Sequence, residues 1–311
     1  MEREKSNPVF HRSSKDTEKM VFTDYEGPWV LNDFAYELCM AIFNNDRFFR
    51  NISEYDDYLY YVVRREGYEA GYTLKLIVPF IYASGQWIVA EKLAERVIFV
   101  PEARLAARKI LEKCRVVIIS TAYRDFVEKT AKLIGFREVH ASDLDFKIEL
   151  DMALKKELLK NVEVIASLRG EELFRTLDEI FSKLWNLVER VRVIGAREKA
   201  EILESYAPSF PIAVGDSITD CKMFEKAREL GGVAIAFNGN RYALEKADIA
   251  IVSQTALAQA VVIDQILNGK KPKISPKIGK VFEIKNSNFE KIVNESMKIR
   301  IKLRGIVGIL G

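Results

Sequence analysis

Met20-Val21-Phe22-Thr23-Asp24-Tyr25-Glu26-Gly27-Pro28 decides how the rest of the chain is organised. Met20 to Phe22 is an apolar run that reads as a buried strand, and Gly27 and Pro28 make the turn that ends it. Asp24 and Glu26 therefore stand where a strand opens into a loop. Alternate residues of an extended chain point to one side, so both acids can face one site. Two carboxylates that close resist ionising together unless a cation or a shared proton intervenes. The pair points to a divalent metal, or to one carboxylate attacking while the other moves protons. The competing reading is a polar strand end before an ordinary turn, and the other strand ends decide between them.

Two more apolar runs have the same build. Val116-Val117-Ile118-Ile119-Ser120-Thr121 is short and β-branched until its hydroxyls, as a central parallel strand requires. Pro211-Ile212-Ala213-Val214-Gly215-Asp216-Ser217-Ile218-Thr219-Asp220 is an apolar strand broken at Gly215 into an acidic loop. A helix from about Asp125 to Ile134, closed by Gly135, and a charged helix start at Arg197-Glu198-Lys199 lie between them. Val233 to Phe237 adds a strand, and Ile249 to Val252 is read as the last. This alternation predicts an α/β fold: a doubly wound, Rossmann-like parallel sheet with right-handed crossovers and helices on both faces. Ligands bind such sheets outside the carboxyl ends of the strands, so Asp24, Glu26, Ser120, Thr121, Asp216, Asp220 and the helix-borne Lys199 can converge. Their charges suit a phosphoryl group bridged to a divalent cation. Carboxylates hold a hard metal such as Mg²⁺, while ammonium and hydroxyl groups meet the phosphoryl oxygens.

Two stretches break the rhythm. Residues 34–99 read as mostly helical, with Phe34, Leu38, Ile42 and Phe43 at helical spacing behind Asn32 or Asp33 as N-cap. They form an insertion after the first strand, standing apart from the sheet, and its many tyrosines fit a packed helical interior better than a substrate-stacking role. Residues 141–192 carry a long helical stripe, Leu173, Phe174, Leu177, Ile180, Phe181, Leu184, Trp185 and Val188. This second helical insertion suits core packing more than an oligomer face, and a homo-oligomer is left open. The sheet core is then expected at 19–33, 100–140 and 193–268, after a solvated, flexible arm at 1–18. The segment 269–311 is basic, with eleven Lys or Arg against three Glu from Lys270 onward. A solvated or helix-packing segment explains it better than an anionic partner, so no nucleic acid is expected.

The net charge of +3 is too mild to single out nucleic acid or membrane, and with 49% apolar residues the chain has the make-up of an ordinary globular protein. No apolar run approaches a membrane span, and Ile306, Val307, Ile309 and Leu310 are too few to make one. Cys39, Cys114 and Cys221 lie far apart without metal-ligand spacing, which suggests reduced thiols in a cytoplasmic protein. Richness in Lys, Glu, Arg and Ile is compatible with a thermophilic source.

The order of these motifs resembles the haloacid dehalogenase superfamily of phosphohydrolases. The resemblance runs through Thr23 to Gly27, Ile119-Ser120, Lys199-Ala200-Glu201-Ile202-Leu203 and Val214 to Asp220. With Gly232-Val233-Ala234 and Ala247 to Ile251, the last third is similar to the phosphoserine phosphatase branch. Asp24-Tyr25-Glu26-Gly27-Pro28 and Leu31-Asn32-Asp33 also resemble, more loosely, archaeal members labelled as a subunit of an energy-converting hydrogenase. The main resemblance implies a Mg²⁺-dependent phosphatase acting on a small phosphorylated metabolite through an aspartyl phosphate. It implies Asp24 as nucleophile, Glu26 as acid and base, Ser120, Thr121 and Lys199 on the phosphoryl oxygens, and Asp24, Asp216 and the Glu26 carbonyl on the metal, with Asp220 in support. Two residues depart from the pattern: Glu26 stands where Asp is usual, and Pro28 replaces a Ser or Thr. Phosphoryl transfer to an alcohol, or a binding or assembly subunit that kept the scaffold, would use the same fold.

Overall fold

The computed structural model describes residues 18–143 and 150–309. Apart from Glu18, the arm read at 1–18 lies outside the described residues, as do 144–149 of the second insertion and Leu310 of the tail.

From β1 (Lys19–Thr23) the chain enters α1 (Phe34–Phe43), α2 (Asp46–Asp57), a π-helical turn at Tyr58–Val63, α3 (Thr73–Ser84) and α4 (Ile88–Lys92). It returns through α5 (Ala103–Leu111), β2 (Arg115–Tyr123), α6 (Arg124–Ile134) and β3 (Glu138–Ser142). Next come α7 (Met152–Ser167), α8 (Gly170–Ser182) and α9 (Trp185–Val188), then α10 (Ala196–Ser205), β4 (Phe210–Gly215), α11 (Cys221–Glu229) and β5 (Val233–Phe237). The described chain closes with α12 (Arg241–Lys246), β6 (Ile249–Val252), α13 (Leu257–Leu267), β7 (Lys280–Glu283) and α14 (Phe289–Arg304).

The seven strands of the described residues lie in one sheet, ordered β3-β2-β1-β4-β5-β6-β7 and parallel except at the β6–β7 edge. β1 is an inner strand of this sheet, and its Val21 and Phe22 are fully buried on opposite faces, as a strand covered by helices on both sides demands. Thr23 is in register with Ile118 of β2 and Val214 of β4. The residues that follow each strand therefore emerge at one edge of the sheet. Strand order reverses direction there too, with β2 and β3 to one side of β1 and β4 to β6 to the other, so the edge is a topological switch point.

Ile249–Val252 is not the last strand: β7 pairs antiparallel beyond it, with Ile251 opposite Val281. β7 is short, begins and ends in charge, and has no apolar alternation long enough to announce an edge strand. β3 also escapes the sequence pattern, because Glu138-Val139-His140-Ala141-Ser142 is half polar. The stripe from Leu173 to Val188 is two helices, α8 and α9, divided at Lys183 and Leu184.

The two helical segments share one interior. Asn51 of α2 donates to the Ile165 carbonyl of α7 at 2.6 Å, and the Tyr55 hydroxyl donates to Asp178 of α8 at 2.6 Å. Phe48 meets Phe80, and Phe80 meets Phe181, at edge-to-face angles. The tyrosines are used as packing: Tyr55 stacks on Phe181, and Tyr58 on Phe174 at 4.3 Å between ring centroids. Among the described residues no single helix is long and apolar enough to cross a membrane.

Candidate active site

The loop after β1 is fastened before any chemistry is considered. Trp29 donates its indole N–H to Thr23 Oγ1 at 3.0 Å, Gln259 of α13 donates to the Pro28 carbonyl at 2.8 Å, and the Tyr25 hydroxyl donates to Thr130 of α6 at 2.9 Å. Gly27 sits at φ +97°, and a Cβ there would run into the Asp216 carboxylate. Glycine is thus required twice, for its left-handed backbone and for the close approach of the β1 and β4 loops. Pro28 costs the loop a donor, yet its carbonyl remains bound by Gln259.

The strand ends and α10 bring the acids and the lysine together. Oxygens of Asp24, Asp216 and Asp220 lie within 4.8 Å of one another, and all three residues are buried. Lys199, with no exposed surface, reaches in from the first turns of α10, 3.0 Å from Asp24 Oδ1 and 2.8 Å from Asp220 Oδ1. Asp220 is fully committed: besides Lys199, its second oxygen accepts the backbone N–H groups of Asp216 and Ser217 at 2.8 and 3.0 Å. It folds the loop after β4 and orients the lysine, while Asp24 and Asp216 face the cavity.

Burial dominates the protonation of these groups. It pushes the Asp24 carboxyl up to about 7 against the pull of Lys199, with Asp220 and Asp216 adding repulsion. The Glu26 carboxyl is pushed well above the usual range by the same desolvation and by Asp33. Asp216 is raised by burial although Arg300 and Arg304 pull it back. Burial opposes the charge on Lys199, but Asp220 and Asp24 overcome it and hold the ammonium above its ordinary value. Near neutrality the site thus offers a protonated Glu26 beside a carboxyl poised between its two forms.

Glu26 also joins the sheet to the first inserted helix, since its Oε1 accepts the Phe34 N–H at the start of α1 at 2.6 Å. Ser120 is buried within β2, three residues before its end, and its Oγ accepts the Ala122 N–H at 3.2 Å. Thr121 lines the cavity, and its buried hydroxyl has no hydrogen-bond partner among the described residues. A buried hydroxyl without a partner beside two carboxylates is a ready donor to an oxyanion.

Sequence reasoning missed two residues here, Arg300 and Arg304 of α14. Arg300 Nη1 donates to Asp216 Oδ2 and, at 3.2 Å, to the Asp216 carbonyl, while Arg304 Nη1 lies 3.1 Å from the same Oδ2. A signal was present: they are the only arginines after Lys270, one helical turn apart, on the face that also buries Ile292, Val293 and Ser296.

Asp24, Glu26, Thr121, Asp216, Arg300 and Arg304 line a cavity of about 120 Å³ whose inserted-helix side is formed by Asp33, Phe49, Ser53, Gly71, Thr73 and Leu74, while Ser120, Lys199 and Asp220 are not among its lining residues. Gly71 is held against the core, since a Cβ there would strike Thr219. The carboxylates of Asp24 and Asp216 fit a divalent cation: buried, mutually repelling oxygens with lifted protonation are what a hard metal relieves.

The structure of gene product AF1437 from Archaeoglobus fulgidus matches over 94% of this chain and 99% of its own, at 50% sequence identity and a TM-score of 0.89. Phosphoserine phosphatase in its apo form matches 82% of this chain and all of its own at 19% identity and a TM-score of 0.51, a likeness of fold. The chain belongs to the family of the AF1437 gene product, and its fold is of the haloacid dehalogenase type. No family model matches the sequence, and no curated protein matches it. In this AF1437-family chain Asp24 and Asp216 follow the adjacent strands β1 and β4, with Lys199 3.0 Å from Asp24.

Proposed function

We propose that the chain is a Mg²⁺-dependent phosphatase that hydrolyses a small phosphomonoester through an aspartyl phosphate on Asp24. The observation that carries this reading is the meeting of Asp24, Lys199 and Asp216 at the switch point of the sheet, beside the cavity. Asp24 Oδ attacks phosphorus, the bond from phosphorus to the ester oxygen breaks, and Glu26 gives that oxygen its proton. Water then attacks the phosphorus of the acyl phosphate, Glu26 takes its proton back, and Asp24 is regenerated with inorganic phosphate. Lys199 stays charged beneath Asp24 throughout, and Ser120 and Thr121 donate to the phosphoryl oxygens as charge develops there. Held by Asp24, Asp216 and the Glu26 carbonyl, Mg²⁺ would supply the positive charge that lets an anionic nucleophile approach an anionic ester.

The helices of 34–99 serve as the cap that excludes water and selects substrate. The small cavity beneath Phe49, Ser53 and Thr73 favours a compact alcohol as leaving group. A hydrolysis screen of phosphorylated amino acids, sugars and nucleotides, with and without Mg²⁺, tests the reading. Metal-dependent phosphate release that disappears in Asp24→Asn is expected. Undiminished release by that variant would remove Asp24 from the reaction, and no release from any ester would remove the activity.

A further inference from the structure

The C-terminal helix places two fixed cations on a carboxylate that the proposed reaction assigns to a metal. Arg300 and Arg304 both donate to Asp216 Oδ2. Each is also tied down elsewhere. Arg300 Nε donates to the Gly308 carbonyl at 3.0 Å, and its Nη1 lies 3.4 Å from the Asn238 carbonyl. Arg304 Nε donates to the Leu31 carbonyl at 3.2 Å and Nη2 to that of Asn32 at 2.9 Å. The two side chains are 2% and 6% exposed, so water screens them little.

Those contacts settle the charge balance. Lys199, Arg300 and Arg304 set three cations against the carboxylates of Asp24, Asp216 and Asp220. A divalent cation entering between Asp24 and Asp216 must share Asp216 with two guanidiniums, and like charges crowded on one buried carboxylate repel strongly. Arg304 carries the consequence further. Leu31 and Asn32 lead from the sheet to α1, and Asn32 also receives the returning chain, its Oδ1 accepting the Ile98 N–H at 2.7 Å. The group that neutralises Asp216 therefore grips both connections between the sheet and the inserted helices.

We propose that Arg300 and Arg304 are resident competitors for the divalent cation, so that metal binding at Asp216 loosens the hold of α14 on the 31–32 connection and, reciprocally, α14 weakens the metal. The proposal rests on the metal-dependent reading of the site. Linkage requires the two effects to be equal in size, so a change seen on one side must appear on the other.

Mn²⁺ binding to the full-length chain, followed by electron paramagnetic resonance of the free ion, tests it without reference to turnover. Arg304→Gln should bind Mn²⁺ about 10-fold more tightly than wild type, the scale on which a neighbour of a metal ligand acts. In wild type, added Mn²⁺ should speed amide hydrogen exchange across 289–308 while leaving exchange in the central strands unchanged. Arg300→Met is the stronger change but removes a fully buried anchor, so Arg304→Gln, its fold checked by circular dichroism, carries the test. Equal or weaker Mn²⁺ binding by folded Arg304→Gln, or slower exchange in α14 on adding Mn²⁺, overturns the competition and leaves the metal reading standing. Failure of wild type to bind Mn²⁺, or binding undiminished in Asp216→Asn, overturns the metal reading and the competition with it.

Discussion

Lys199 Nζ stands 3.0 Å from Asp24 Oδ1 with neither group exposed to bulk solvent, so the lysine is the charge partner that lets a buried carboxylate exist there at all. Removing one member of such a pair leaves the other uncompensated. Lys199→Met is expected to cost about 3–5 kcal/mol of folding stability, seen as a lower denaturant midpoint. It should also raise Asp24 further and abolish turnover at neutral pH. An unchanged midpoint would mean that Asp24 is neutral in the folded chain and that the pair is not ionic.

Gly27 gives a sharper separation of stability from function. Alanine there must hold φ near +97° and place its methyl group against the Asp216 carboxylate. Strain of this kind is worth about 1–3 kcal/mol, a loss a chain of this size can survive folded. Asp216 cannot keep its place beside Asp24, so Gly27→Ala should fall at least about 100-fold in kcat/KM, the scale expected for a misplacement of about 1 Å. Circular dichroism and phosphate release read the two quantities on one preparation.

The pH dependence follows from the Asp24 carboxyl being pushed up to about 7 by burial. Only the ionised form attacks, so the competent fraction rises with pH and levels off above that value. A bound divalent cation favours the carboxylate and must move the limb to lower pH. The acid limb of kcat/KM should accordingly shift downward as Mg²⁺ is raised through its binding range. A limb that stays put while Mg²⁺ varies would take the metal away from Asp24. The sign for stability runs the other way. Asp24 binds more protons folded than unfolded between its ordinary range and about 7, so its contribution to stability declines as pH rises through that window.

How much of this was legible depended on whether a residue's role is local. Asp24 and Asp216 follow apolar runs of clear period, Lys199 opens a charged helix between the strands, and parallel pairing in register brings the two acids to one site. Thr121 was legible as a type, but its unpartnered hydroxyl depends on the cavity beside it. Arg300 and Arg304 were passed over despite their spacing, because the tail's charge is spread over lysines that face solvent. Only the antiparallel strand Lys280–Glu283, itself too short and polar to stand out, returns α14 to the site. β3 was missed for the same reason: Glu138 and His140 spoil its pattern, and its pairing to β2 is what holds it.

Glu69 offers a test of how the inserted helical segment is held. It lies on the loop before α3, 7% exposed, with Arg197 Nη2 at 3.0 Å and Lys222 Nζ at 2.7 Å, so one carboxylate of that segment bridges α10 and α11. Gly71 against Thr219, and the Tyr72 hydroxyl donating to Glu198 at 3.0 Å, press the same loop onto the core. The two cations are roughly two-fifths exposed, so the bridge contributes little to global stability, about 1 kcal/mol or less. Its leverage is on opening. On the proposed function a segment held this firmly must move for substrate to enter, and salt weakens partly exposed ion pairs, with a screening length of about 10 Å at 0.1 M. Wild-type turnover should therefore quicken with moderate salt where opening limits it. Glu69→Gln should begin faster, with a KM raised several-fold and almost no response to salt, while its thermal midpoint stays close to wild type. Parallel salt responses in the two proteins would show that these ion pairs do not govern the opening step, and that Gly71 and Tyr72 hold the loop instead.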